Sequence, residues 1–467
     1  MTRLFGTDGM RGEAGRFPLD ARTVRIIGGS LARQLALRAD GRAPRIVIGR
    51  DTRESGEWLE NAFIEGALDA GAHCESAGVI TTPGVAYLAR VLPSDAGVVI
   101  SASHNPYQDN GVKIFAQSGR KLDDSLERMI EADVTSRTQS VTSNGIFKPR
   151  DGRLDSIAGD QHLTQLEHVA TLQARYKHYL IRDIAENIRL EDLSMVVDCA
   201  NGAASFIAPD VFESLGARVI SINNSPNGRN INLQCGSLHI ESLQKQVVEA
   251  HADIGVAFDG DADRALFVDA EGRFVDGDAT LWVMAKYLHS SGDLESDAVV
   301  ATVMSNIGLE LALRSLGISL YRTDVGDKYV LEKLFETGAS IGGEQSGHII
   351  FPKLSLAGDG IITTLRLLKA MQNTRESLAA LVSGFTRYPQ VLVNVRVRSK
   401  PPFADIESIA LATRDAEEEL GDKGRLLLRY SGTEPLARVM IEGPRQDVIE
   451  RNANTIAEVI REALGAP

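Results

Sequence analysis

Short apolar runs alternate with amphipathic stretches along most of this chain. Arg45-Ile46-Val47-Ile48-Gly49 reads as a buried strand, and Ser55 to Ala70 reads as a helix with Ser55 as its N-cap. Gly71 ends that helix and a new strand opens near Cys74. The unit returns as strand Met195 to Asp198, helix Ala203 to Leu215, Gly216, then strand Arg218 to Ile222. It returns again as strand Ala298 to Val303, helix Leu309 to Leu316, Gly317, then strand Ser319 to Arg322. Each glycine falls where a helix terminus needs positive φ. Three β-α-β units with the same punctuation predict three related α/β domains, each with helices around a mainly parallel mixed sheet.

After about residue 375 the pattern changes. Val391 to Val397 alternates as a half-buried strand, Ile406 to Leu420 is a polar-faced helix, two strands flank "RYSGTEP", and a helix from Asp447 to Leu464 closes the chain. This predicts a separate C-terminal α+β domain. At 467 residues the chain is too long for one core. The expected divisions are 1–155, 156–255, 256–374 with the acidic and glycine-rich loops described below, and 375–467, with the polar stretch 136–160 as the first linker.

Charge narrows the partners. A net charge of −13 excludes the basic footprint that nucleic acid or an anionic membrane needs, so an anionic substrate must meet local Arg or Lys islands. No apolar run approaches a bilayer span, and MTRLFGTDGM lacks the apolar core of a signal peptide. Cys74, Cys199 and Cys235 are widely spaced with no C-x-x-C pair, which fits a reducing cytoplasm and supplies neither a zinc site nor a disulfide framework.

Several stretches could carry chemistry. "ISASHNPYQDNGVKIF" (100–115) follows the strand Ala96 to Ile100, and Pro106 and Asn110-Gly111 break regular structure after it. Ser101 and Ser103 therefore sit at a strand's C-terminal mouth, where open α/β sheets collect ligands. A serine there could be a nucleophile, a phosphate ligand or a turn residue. In "AFDGDADRALFVD" (257–269), Asp259, Asp261 and Asp263 are spaced by two between apolar runs. Three converging carboxylates repel unless a cation sits among them, and an all-oxygen set suits Mg²⁺; a solvated acidic turn is the alternative. An EF-hand is excluded, because its sixth position would be Arg264 and its twelfth Ala270.

In "LRYSGTEPLARV" (428–439), Arg429, Ser431, Gly432, Thr433 and then Arg438 suit a phosphate held at a turn, or make a plain polar hairpin. In "IGGEQSGHIIF" (341–351), Glu344 and Ser346 could bond sugar hydroxyls, and His348 could shuttle a proton or simply cap a loop. "FGTDGMRG" places Arg11 among glycines, as a flexible arm or a phosphate contact.

Together these stretches, in this order and across the whole chain, resemble the α-D-phosphohexomutase superfamily. The resemblance implies that Ser103, next to His104, carries a phosphoryl group. It also implies that Asp259, Asp261 and Asp263, with a phosphoserine oxygen, hold one Mg²⁺ per subunit, and that Glu344 and Ser346 read the sugar. Arg429, Ser431, Gly432, Thr433 and Arg438 would grip the substrate phosphate. Arg264 would add positive charge, while Arg11, Lys113 and His348 would handle protons and orientation. FGTDG, "NGRNINLQCGS" (227–237), "TDVGDKYVLEKL" (323–334) and the glutamine of GGEQSGH lean towards the family's amino-sugar branch. That branch implies an isomerase for a small amino sugar phosphate, with glucosamine 1,6-bisphosphate as bound intermediate, on a route to UDP-N-acetylglucosamine. The same resemblance leaves room for a homodimer. Ala262, Leu238 and Tyr430 depart from the usual pattern without removing a ligand.

Three rivals follow from the same residues. Phosphomannomutase or phosphoglucomutase activity shares the loops. A Mg²⁺-dependent phosphatase with an aspartyl nucleophile fits an apolar strand followed by D-x-D, though Asp263 stands where Thr or Val is usual. A non-catalytic sugar-phosphate-binding protein would never phosphorylate Ser103.

Overall fold

The computed structural model of the chain describes residues 4–6, 8–39, 41–139, 159–431 and 434–466. Most of the expected linker at 136–160, and the candidate phosphate contacts Gly432 and Thr433, lie outside them.

Strands that are apolar throughout sit between covered faces, which is why they read as continuous hydrophobic runs. The first sheet has the order β1-β5-β4-β2-β3, with β1 Met10–Glu13, β2 Arg45–Arg50, β3 His73–Val79, β4 Ala96–Ile100 and β5 Asp109–Ala116. The second is β10-β9-β8-β6-β7, with β6 Ser194–Asp198, β7 Arg218–Ile222, β8 Ile254–Phe258, β9 Ala265–Asp269 and β10 Phe274–Val275. The third is β12-β11-β13-β14, with β11 Ala298–Thr302, β12 Ser319–Thr323, β13 Gly342–Gly343 and β14 Ile349–Ile350.

The three sheets repeat one arrangement. In each, a strand (β2, β6, β11) lies parallel to the strand that follows its helix (β3, β7, β12). On its other side it lies parallel to the first strand of an antiparallel hairpin: β4-β5, β8-β9 or β13-β14. The loops closing those hairpins are the serine loop, the aspartate loop and the Gly-Glu-Gln-Ser-Gly-His loop. Three dissimilar motifs thus occupy one topological place, at the C-terminal ends of parallel strands where ligands collect.

The fourth sheet, β15-β17-β16, is wholly antiparallel, with β15 Gln390–Arg396, β16 Arg425–Tyr430 and β17 Leu436–Glu442. Helices Glu407–Leu420 and Gln446–Leu464 cover it over a core that includes Val395, Ile409, Val439 and Ile456. The first three units share a continuous core, from Val47 and Phe115 through Phe258 and Phe267 to Trp282 and Ile361, whereas the fourth keeps its own.

Three expectations need correction. A division at 255/256 would cut β8, because the aspartate loop belongs to the second sheet's hairpin and not to the third unit. The helix over Ala203 to Leu215 is a 3₁₀ turn, Ala203–Phe206, followed by a helix, Ala208–Ser214, with Pro209 in its first turn, where the missing N–H costs nothing. Ser55 does not cap its helix: its backbone is already helical, and its hydroxyl accepts from Asn110 Nδ2 at 2.8 Å. Gly71, Gly216 and Gly317 do hold positive φ. Among the described residues no helix is long and apolar enough to cross a membrane.

Candidate active site

The serine loop is built around a backbone that only a supported residue adopts. Ser103 has φ 53°, a left-handed conformation uncommon outside glycine. Its N–H donates to Ser101 Oγ at 2.9 Å, and Ser101 Oγ donates to Asp51 Oδ2 at 2.6 Å. Ser101 is therefore committed to the loop's own scaffold. Ser103 Oγ instead faces the second unit: it donates to Asp259 Oδ2 at 2.5 Å and lies 3.3 Å from His104 Nδ1. Burial, then Arg264 and Arg11, lower the His104 pKa to about 4, so this imidazole is neutral near pH 7.

Arg53 explains how the loop is held. It is buried, pairs through Nε with Asp51 Oδ2 at 2.9 Å, and gives Nη2 to the carbonyls of Ser103 (2.9 Å) and Asn105 (2.8 Å). Its Nη1 reaches the carbonyls of Asp109, at 3.0 Å, and Pro106. Neither Asp51 nor Arg53 stood out in the sequence, because no periodicity marks an arginine whose partners are carbonyls fifty residues away.

Asp259, Asp261 and Asp263 are buried, and one ligand oxygen of each lies within 4.8 Å of the others. Asp261 Oδ1 and Asp263 Oδ1 have no hydrogen bond. Two orphaned, buried carboxylate oxygens in an all-oxygen set fit a hard divalent cation, and the residues present can hold one. Ala262, inside this loop, has φ 56°, which accounts for glycine being the easier residue there.

Lys113 supplies a positive charge on the other side. From β5 its Nζ reaches Asp261 Oδ2 (2.9 Å), Asp263 Oδ2 (3.2 Å) and Asp8 Oδ2 (3.1 Å). Burial opposes the ammonium, but Asp261, Asp8 and Asp263 outweigh it and raise the Lys113 pKa, so it is a fixed cation rather than a base. Burial above all, then Asp263 and Asp261, push Asp259 well above the usual carboxylate range. Asp263 lies well below it, since the Lys113 ammonium overcomes its burial. Asp8, which also pairs with Arg11 and Lys121, is an addition to the residues singled out above. FGTDG was visible, but nothing local tells that its aspartate reaches β5.

The third unit closes the cleft. Glu344 accepts from Gly326 N–H at 3.2 Å through Oε1 and from Ser346 Oγ at 3.1 Å through Oε2. His348 Nδ1 is 3.6 Å from Asp263 Oδ1, and Nε2 is 3.7 Å from Asp327 Oδ2. Burial disfavours its charge, while Asp263, Asp327 and Glu344 favour it and raise the pKa to about 9. The Gly358 N–H nevertheless donates to Nε2 at 3.1 Å, which requires a lone pair. A backbone amide cannot turn away, so a neutral ring with its proton on Nδ1 towards Asp263 satisfies both contacts. Asp8, Arg11, Asp263, Arg264, Gly326, Asp327, Glu344 and His348 line a cavity of about 170 Å³. A larger neighbouring cavity of about 300 Å³, floored by Phe115, Leu122 and Phe335, contains none of the three clustered aspartates.

The fold thus gathers Ser103, His104, Lys113, Arg11, the three aspartates, Arg264, Glu344, Ser346 and His348. The fourth unit is tied to the third, with Arg425 Nη2 donating to the Val303 (2.9 Å) and Ser305 (3.1 Å) carbonyls, and Arg429 Nη2 meets Met304 Sδ, 3.9 Å away, rather than the serine–aspartate cluster. Within that unit Arg438 pairs with Glu434 at 3.2 Å, and Lys400, not singled out in the sequence, donates to the Ser431 carbonyl at 2.6 Å.

Comparison with known proteins agrees with this architecture. Models of the four phosphoglucomutase/phosphomannomutase domains match in order: alpha/beta/alpha domain I over residues 2–141, domain II over 174–272, domain III over 276–388 and the C-terminal domain over 392–459. Phosphoglucosamine mutase of Solibacter usitatus is 48% identical over 462 residues, 99% of each chain. That of Mycolicibacterium paratuberculosis is 48% identical over 466 residues, 99% of this chain and 100% of that one. A phosphoglucomutase/phosphomannomutase family protein from Burkholderia thailandensis has the same fold, with TM-score 0.77, 24% identity, and 99% and 97% of the two chains covered. Aspergillus fumigatus N-acetylphosphoglucosamine mutase, in complex with GlcNAc-6P and magnesium, superimposes with TM-score 0.62 at 18% identity over 98% of this chain and 96% of that one. The chain is a phosphohexomutase, an isomerase. Within that class it belongs to the phosphoglucosamine mutase family.

Proposed function

We propose that this protein interconverts glucosamine 6-phosphate and glucosamine 1-phosphate through a phosphoserine at Ser103. The observation that carries the reading is Ser103 Oγ, held at positive φ, 2.5 Å from Asp259 Oδ2 in a buried triad of carboxylates. Asp259, Asp261, Asp263 and an oxygen of the phosphoserine would hold one Mg²⁺; the Aspergillus fumigatus relative was solved in complex with magnesium. When bound, the ion neutralises charge on the phosphoryl oxygens.

The sugar's O1 hydroxyl attacks the phosphorus on Ser103, the bond to Oγ breaks, the O1 proton ends on the departing Oγ, and glucosamine 1,6-bisphosphate remains bound. After reorientation Ser103 Oγ–H attacks the 6-phosphate, the bond to O6 breaks, and O6 takes a proton. Lys113, a permanent ammonium, and Arg264 stabilise the spreading charge. Neutral His104 and Asp259 are the acceptors that face the serine proton. Neutral His348 and Arg11 orient the sugar hydroxyl end, and Glu344 and Ser346 bond its hydroxyls. Arg429, Ser431, Gly432, Thr433 and Arg438 grip whichever phosphate is not reacting. Because the fourth unit has its own core, it can pivot to accept both orientations.

The test compares kcat/KM on glucosamine 6-phosphate and glucose 6-phosphate. Preference for the amino sugar is expected. Faster turnover of glucose or mannose phosphates would replace this reading with that of the sibling mutases.

A further inference from the structure

The loop 227–235 has no part in the chemistry above, yet it reaches the serine. Asn232, buried and at φ 56°, lies between β7 and β8, in the second unit. Its Nδ2 donates to the Ser103 carbonyl at 2.9 Å and to the Asn105 carbonyl at 3.1 Å. These are the two carbonyls that Arg53 Nη2 holds from the first unit. Each therefore receives two donors, one from either side of the interface. Two converging acceptors require an NH₂ group and not a carboxylate.

The surroundings are equally constrained. A Cβ on Gly260, between Asp259 and Asp261, would lie 2.6 Å from the Ser103 carbonyl oxygen and 2.9 Å from Asn232 Nδ2. Serine loop, aspartate loop and Asn232 thus touch at one point. The same second-unit loop docks on residues 52–54: Glu54 N–H donates to the Gly228 carbonyl at 2.9 Å, and Arg229 pairs with Glu54 at 2.6 Å.

We propose that Asn232 is a positioning residue for phosphoryl transfer. By fixing the carbonyl of Ser103 it sets the angle of Oγ relative to the aspartate loop, and it does so from across the boundary between the first two units. The inference rests on Ser103 being the phosphoryl carrier. It predicts that loss of the two donors slows transfer without weakening sugar binding, because Asn232 lies outside the cleft lined by Glu344 and His348.

The test uses Asn232→Asp, which keeps shape but turns oxygens towards two carbonyls, and Asn232→Gly, which tolerates the positive φ and removes the side chain. Each carbonyl keeps Arg53, so the glycine variant retains its fold even if the aspartate variant does not. Single-turnover transfer from isolated phosphoenzyme to the sugar phosphate should fall about ten- to a hundredfold, as misplacement of a reacting atom by up to about 1 Å does. kcat should fall by the same factor, with KM unchanged. Transfer rates in Asn232→Gly close to those of the parent, or a loss that lies wholly in KM, would overturn the proposal. Absence of phosphoenzyme from the parent protein itself would instead remove the reading on which it rests.

Discussion

Arg429 and Arg438 stand directly opposite each other on the β16–β17 ladder. Like charges at opposed positions destabilise an antiparallel pair, so this pairing is favoured only when an anion lies between them. Glu434 relieves Arg438 in part, at 3.2 Å. We propose that the substrate phosphate bridges the two guanidinium groups.

Arg429→Gln should therefore lower kcat/KM by about ten- to a hundredfold, on the order of 1.5–3 kcal/mol for a charge-assisted contact, without lowering the melting temperature of the substrate-free protein. Arg429→Lys should recover little, since a point charge cannot copy the fork. Normal kcat/KM in either variant would remove Arg429 from the proposed phosphate grip.

Lys113 compensates three carboxylates, so its removal should be felt most without metal. Lys113→Met leaves buried Asp261 and Asp263 without that partner, while half-buried Asp8 keeps Arg11 and Lys121, and should cost about 3–5 kcal/mol. Saturating Mg²⁺ should restore part of this, raising the variant's melting temperature more than the parent's. Equal metal-induced shifts would show that the ion does not bind among these aspartates.

Phosphorylation adds roughly −1.5 to −2 charge to the same cluster at neutral pH. Calorimetric titration should find tighter Mg²⁺ binding in the phosphorylated protein than in the dephosphorylated one. Identical affinities would remove the phosphoserine oxygen from the ligand set.

Asp359, which is not one of the three clustered aspartates, offers a test by pH. Burial pushes its carboxyl up to about 6, against the hydrogen bonds from Ile362 N–H, Tyr176 and Ile361 N–H. The folded pKa exceeds the unfolded one, so the folded state binds the extra proton and Asp359's contribution to stability is largest below pH 4. That contribution is lost as pH rises from 4 through 6, up to about 3 kcal/mol in all. Asn caps as well as Asp, so Asp359→Asn should fold and flatten this part of the stability curve. Parallel curves for the two proteins between pH 4 and 7 would contradict the assignment.

Much of this was legible in the sequence for a physical reason: the motifs are local. Glycine-punctuated β-α-β units, the three spaced aspartates and the serine before His104-Asn105-Pro106 each declare themselves within a dozen residues. What was not legible is long-range. Asp8 joins Lys113, Arg53 joins the Ser103 carbonyl, and Asn232 crosses between units, and such partners follow only from sheet order. The misplaced division at 255/256 has the same cause. An apolar strand before an acidic loop looks like a beginning, and only its pairing with β6 shows it to be the middle of a sheet.

The central claim, that Ser103 carries the phosphoryl group, is tested most directly by mass. After incubation with glucosamine 1,6-bisphosphate, the intact protein should gain one phosphoryl group that resists hydroxylamine and maps to Ser103. The gain should persist in Ser101→Ala and vanish, with turnover, in Ser103→Ala. A phosphate on Ser101, a hydroxylamine-labile phosphate on an aspartate, or no phosphate at all would contradict the account.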